Sequence, residues 1–98
     1  MYKPSAFEFN VEKSRLLKEE RNISFEEVIA LMDGKHILDI IEHPNKDTYS
    51  NQKIFVMLIA GYVYLVPFIK DKKKIFLKTI IPSRKATAEY LRRDKNHD

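Results

Sequence analysis

The sequence predicts an α+β domain: an antiparallel sheet of about four to five strands, with N-terminal helices and a C-terminal helix packed on it. Three observations carry that expectation. Apolar residues recur at helical spacing as far as Gly34 and at strand spacing from Ile37 onward. Helix-start residues, Asn10 and Ser24, precede the two helical stretches. Beyond them, Gly61 and Asp71-Lys72-Lys73 divide the chain at hairpin intervals.

In order, Phe7-Glu8-Phe9 alternate as a short first strand. Asn10 then caps VEKSRLLKEER, a helix expected to turn Leu16 and Leu17 inward and to end at Arg21-Asn22. In SFEEVIALMDG, Ser24 and Glu27 stand in capping-box spacing. Phe25, Val28, Ile29 and Met32 make an apolar stripe, and Gly34 is the expected stop. Ile37–Glu42 reads as a strand, His43–Asp47 as a loop, and Lys53–Ala60 as a central strand covered on both faces. Gly61 is the corner before Tyr62–Ile69, where Pro67 implies an edge position or a bulge. The last strand is expected over Ile75–Ile81, and the last helix over Ser83–Arg93 with Ser83 as its cap.

Ninety-eight residues fit one domain, with 94–98 expected as a frayed tail. An apolar share of 44% and an aromatic share of 11% suffice for a core and exclude the disordered class. There is no cysteine, so neither a disulfide framework nor a thiolate metal site can form. No apolar run reaches bilayer length, and Met1–Asn10 has no signal-type apolar segment, so a cytoplasmic location is expected.

Charge is unevenly placed: residues 1–69 carry a net −2 and residues 70–98 a net +6. Such asymmetry points to nucleic acid or an acidic partner. The alternative, solvated terminal lysines, accounts for 92–98 but not for cations interleaved with a strand. Catalytic signatures are few. His36, His43 and His97 lack metal-ligand spacing, and Gly34 and Gly61 make no phosphate-binding loop, so no metal or cofactor is expected.

What remains is cations and phenols: Lys53, Lys78, Arg84 and Lys85, with Tyr62, Tyr64 and Tyr90, are expected to line one sheet face and its adjoining helix. Arg84 and Lys85 directly follow the Ser83 cap, where free N–H groups suit an anion. RNA cleavage needs a proton taken from the 2′-OH, charge stabilised on the phosphorane, and a proton given to the leaving oxygen. Cations supply the electrostatic part. Strand alternation puts Phe76, Lys78 and Ile80 on one face, with Ile75, Leu77, Thr79 and Ile81 on the core face. Lys78 is then either partly desolvated between apolar neighbours or a surface Lys laying its stem over them.

Several of these segments resemble a known family. Phe7-Glu8-Phe9-Asn10 with Lys13, and Ile23-Ser24-Phe25-Glu26-Glu27, resemble the F-x-W-D-x-x-K and V-S-F-E-E-A motifs of BrnT-type toxins, in ungapped register. Ile80-Ile81-Pro82-Ser83-Arg84-Lys85-Ala86-Thr87 resembles their I-I-S-A-R-x-A-T segment, so the likeness spans about residues 7–93. The resemblance implies a RelE-like fold and a ribonuclease that inhibits translation by acting on mRNA. It also implies a cognate antitoxin that neutralises the toxin and, as a complex, represses the shared operator DNA. Arg84 matches the family's Arg after the last strand, Lys53 falls near its central-strand basic residue, and Asn22 replaces a Gly.

The chain also departs from the family. Leu17, Glu20 and Arg21 replace an Asn, a Lys and a His; Thr79 replaces an Arg; and Tyr90, beside Glu89, stands at an acidic position. The first reading is therefore a metal-independent ribonuclease toxin with Arg84, Lys78, Lys53 and Tyr90 catalytic and Lys72, Lys73, Lys74, Lys85, Arg92 and Arg93 on the nucleic acid. The alternative is a catalytically attenuated subunit of the same fold that binds antitoxin or nucleic acid. A third reading is an assembly protein docking an acidic partner.

Overall fold

Elements form largely where local chemistry asks for them. The computed structural model describes residues 3–49 and 51–96, with side chains as far as Arg92. After a 3-10 turn at Pro4–Ala6 come β1 (Phe7–Glu8), α1 (Val11–Arg21), α2 (Phe25–Ala30), β2 (Ile37–Glu42), β3 (Gln52–Ile59), β4 (Tyr62–Asp71), β5 (Lys74–Leu77), β6 (Ile81–Pro82) and α3 (Arg84–Asn96). One sheet runs in the order β1-β5-β4-β3-β2, with β6 pairing to β4 beyond the end of β5. Among the described residues, only the β1–β5 pairing is parallel. The fold is α+β, as expected.

The Asn10 side chain accepts the Lys13 N–H at 2.9 Å, and Asn22 ends α1 in the left-handed region at φ 60°. Of α1's paired leucines only Leu17 is buried; Leu16 is 42% exposed. Consecutive helical residues point about 100° apart, so a narrow contact takes one of them. Its companion is Ser14, one turn earlier and 2% exposed. The Ser14 hydroxyl donates to Glu26 Oε1 at 2.7 Å and accepts the Phe25 N–H at 2.9 Å, tying α1 to the start of α2.

Ser24 caps α2 through the Glu27 N–H, while the Glu27 carboxylate takes the Lys18 ammonium. The helix stops at Ala30, short of the expected Gly34, because Asp33 Oδ1 accepts the N–H groups of Lys35 and His36 and sets up a competing turn. Phe25, Val28 and Met32 are buried regardless.

The Ser14 hydroxyl, followed by the Glu26 backbone N–H and the Ser24 hydroxyl, holds the Glu26 carboxyl below its ordinary value of 4.5. A lowered folded-state value stabilises the fold above the ordinary carboxylate range, and that stabilisation is lost as pH falls through the folded value. Ser14→Ala leaves a buried N–H without its acceptor, so it is expected to cost about 1–3 kcal/mol in urea unfolding at neutral pH. The variant should also lose stability less steeply than the parent below about pH 4.5.

β3 lies between β4 and β2, and Ile54, Phe55, Val56 and Met57 are buried on its two faces. One face packs Phe55, Met57, Val66, Phe68, Ile75 and Leu77 against Leu17, Ile23, Phe25 and Val28 of the helical segment. The other packs Val56 and Val63, with Ile41, Leu58 and Leu65, against Ala86 and Tyr90 of α3. Ala60 and Gly61 close the β3–β4 hairpin at φ 52° and 81°. Ala is strained there and Asn-Gly is the favoured pair, so Ala60→Asn is expected to add about 0.5–1 kcal/mol of stability, read by thermal melting.

The last strand departs from expectation. Instead of running over Ile75–Ile81 it breaks into β5 and β6. Leu77 pairs with Phe68, but Ile81 pairs with Leu65, so one extra residue is inserted opposite Val66 and Pro67. Pro67 has no N–H to give to that strand, although its carbonyl accepts the Lys78 N–H at 2.8 Å. Of the two roles anticipated for Pro67, the bulge is realised and the edge position is not. The insertion flips the side chains beyond it: Ile80 is fully buried and Ile81 is 40% exposed, the reverse of strict alternation. The Arg21 guanidinium donates to the Ile80 carbonyl and closes the bulge from α1.

Candidate nucleic-acid interface

Register places a lysine cluster at one end of the sheet. Lys53 stands opposite Phe68, and Lys70, two residues further along β4, stands opposite Ile75 of β5. Alternation puts Lys53, Phe68, Lys70 and Ile75 on the same face as Phe55, with Phe68 and Ile75 buried in the core there and Lys53 and Lys70 exposed. Together with Ile40 and Asn51 they line a cavity of about 400 Å³. A second cavity of about 520 Å³ adjoins it, sharing Lys70 and Ile75 and adding Lys3, Ser5, Ala6, Lys72, Lys73 and Lys74. Neither lining includes a carboxylate. Glu42, opposite Lys53, pairs with Lys46 at 2.9 Å, which holds its carboxyl below the ordinary range, Lys53 adding a weaker pull. Asp71, opposite Lys74, is exposed in the hairpin, where Lys72 takes φ 57°.

The remaining expected residues lie elsewhere. Ser83 Oγ accepts the Ala86 N–H at 3.0 Å, capping α3 as expected. The Ser83 N–H donates to the Val63 carbonyl at 2.9 Å, and the Val63 N–H donates to Thr87 Oγ1 at 2.8 Å, seating the helix start on β4. Arg84 and Lys85 follow, both exposed. Val63 lies five residues from Phe68, about 17 Å along the strand, and α3 covers the opposite sheet face from Lys53. Lys78 is exposed, its ammonium 5.7 Å from the centroid of the Phe76 ring, so it is the surface Lys of the two possibilities. Tyr90 packs on the α3 side, and its hydroxyl donates to Asp39 Oδ2 at 3.1 Å.

Arg84, Lys78, Lys53 and Tyr90 are therefore not brought into one cluster, and the expected cationic and phenolic lining is divided between the two faces. Tyr62 and Tyr64, rings edge-on at 5.8 Å, belong to the α1/α2 face of the sheet with Lys53; Tyr90 belongs to the α3 face. Arg92 is exposed on α3, and the Arg93 side chain lies outside the described residues. α3 itself runs to Asn96, three residues past its expected end. Lys72, Lys73 and Lys74 line the second cavity together, and Lys74 also donates to the Ser5 carbonyl at 3.2 Å.

Sequence reasoning missed Lys70, Lys3 and the apolar floor of Ile40, Phe68 and Ile75. The signal for Lys70 was present: a two-residue Ala60-Gly61 corner dictates that Lys53 opposes Phe68, with Lys70 next on that face. His43 and His36 are engaged locally. The Asn45 N–H donates to His43 Nδ1 at 3.1 Å, with the Tyr49 ring tilted against it at 4.2 Å, and His36 Nδ1 lies 2.8 Å from Asp33. His97 lies outside the described residues. Among the described residues no three His, Asp or Glu side chains are placed to share a metal ion, and no helix is long and apolar enough to cross a membrane.

Fold and site together define a small α+β domain with a lysine-lined groove at one end of its sheet. No family model, curated protein or solved structure matches the chain.

Proposed function

We propose that this chain is the RelE-like toxin of a type II toxin–antitoxin pair, a cytoplasmic ribonuclease that inhibits translation without a metal and is neutralised by a cognate antitoxin. The observation that carries the reading is the groove in which Lys53 joins Lys70, Lys72 and Lys73 with no carboxylate in the lining. Such a surface suits a polyanionic backbone. The motif likeness at Phe7–Glu27 and Ile80–Thr87 supports the toxin assignment, and the exposed position of Arg84 beside the Ser83 cap suits a phosphate contact.

The separation of Arg84, Lys78, Lys53 and Tyr90 favours a second reading, a subunit of the same fold that binds RNA or antitoxin without cutting. Expression of the chain alone in a bacterial host separates the two. The toxin reading expects growth arrest, rescue by a co-expressed neighbouring antitoxin, RNA degradation by purified protein in EDTA, and relief of arrest in folded Arg84→Ala. RNA bound but left intact, with growth undisturbed, would establish the second reading. A chain that neither arrests growth nor binds RNA would end both.

A further inference from the structure

The groove differs from a flat basic patch in having an apolar floor. Phe68 and Ile75 are 5% and 4% exposed and form its base, while Ile40, 41% exposed on edge strand β2, forms one wall. Lys53 and Lys70 stand at the rim, and their cavity of about 400 Å³ falls in the range that holds one small organic group. From it the lysine lining continues past Lys70 to Lys72, Lys73 and Lys3. An apolar seat bounded by two cations and leading into a cationic track offers the two contacts a single strand needs, an apolar surface for an unstacked base and positive charge for its phosphates. A duplex keeps its bases stacked inside and offers such a site its backbone and groove edges but no free base face.

We infer that the Lys53–Lys70 cavity seats one nucleotide of a single-stranded RNA, its base against Ile40, Phe68 and Ile75 and its phosphates at Lys53 and Lys70. The strand then continues along Lys72 and Lys73. This rests on the RNA-binding part of the proposed function and adds to it the strandedness of the ligand and the seat of one base. A purely acidic peptide such as poly-glutamate could meet the lysines but would leave the apolar floor unused.

The test measures binding of the full chain to a labelled single-stranded RNA of about ten nucleotides and to the same sequence as a duplex. Isoleucine methyl groups are followed by NMR in parallel. The single strand is expected to bind at least about tenfold tighter than the duplex. Ile40 and Ile75 should shift on its addition, and Ile81, outside the groove, should not. Lys53→Gln with Lys70→Gln, both on exposed positions, should remove that preference, whereas Lys72→Asn with Lys73→Gln should weaken both ligands alike. Equal binding of duplex, methyl shifts confined to Ile81, or displacement of RNA by poly-glutamate at equal charge would overturn the seat. RNA cleavage that persists unchanged in the Lys53/Lys70 variant would overturn it too, while leaving the ribonuclease reading standing.

Discussion

Ile80→Ala is expected to destabilise the domain by about 2–5 kcal/mol, while Ile81→Ala changes stability by only about 0.5 kcal/mol. The two residues are chemically identical neighbours, and only the bulge opposite Pro67 separates their fates. Ile80 is fully buried among the residues under α1 and α2, so truncation leaves a cavity in that core. Ile81 pairs with Leu65 at the sheet margin and keeps 40% of its surface in water. For a domain of this length a loss of about 2 kcal/mol lowers the melting temperature by roughly 10 °C, well within calorimetric resolution. Equal losses at the two positions would show that the strand runs on without the insertion.

RNA affinity is expected to fall about 50-fold when salt rises from about 50 to about 200 mM, provided about four phosphates are engaged. Each phosphate neutralised on a single strand contributes about −0.7 to the slope of log affinity against log salt, so about four give a slope near −3. Lys72→Asn with Lys73→Gln removes two of the contacts and should flatten the slope by about 1.4. Asn is chosen at Lys72 because that residue sits at φ 57°, which Asn tolerates and Ala does not. A slope unchanged in this variant would place the RNA elsewhere, on α3 with Arg84, Lys85 and Arg92 for instance.

Much of the domain was legible in the sequence because its signals are local. Asn10, Asn22, Ser24 and Ser83 cap or end helices through side-chain bonds reaching no more than three residues, or through a single left-handed residue. The Ala60-Gly61 corner sets the β3–β4 register from within the hairpin, and with it the opposition of Lys53 to Phe68. Other features needed distant partners. Ser14 and Leu17 rather than Leu16 became the buried face of α1 because α2 approaches from that side. The side of the sheet taken by α3 depends on Val63 receiving and giving hydrogen bonds at Ser83 and Thr87.

The lysine stretch Lys70–Lys74 shows the same division. Its charge and its turn were determined by the sequence itself, since both are properties of adjacent residues. That Lys53 and Lys70 flank an apolar floor, while Arg84, Lys78 and Tyr90 stand elsewhere, was decided only in the tertiary structure. A strand pattern specifies which side chains share a face of one strand. It does not specify which face a later helix will cover, or that a proline on the neighbouring strand will turn the alternation over partway along.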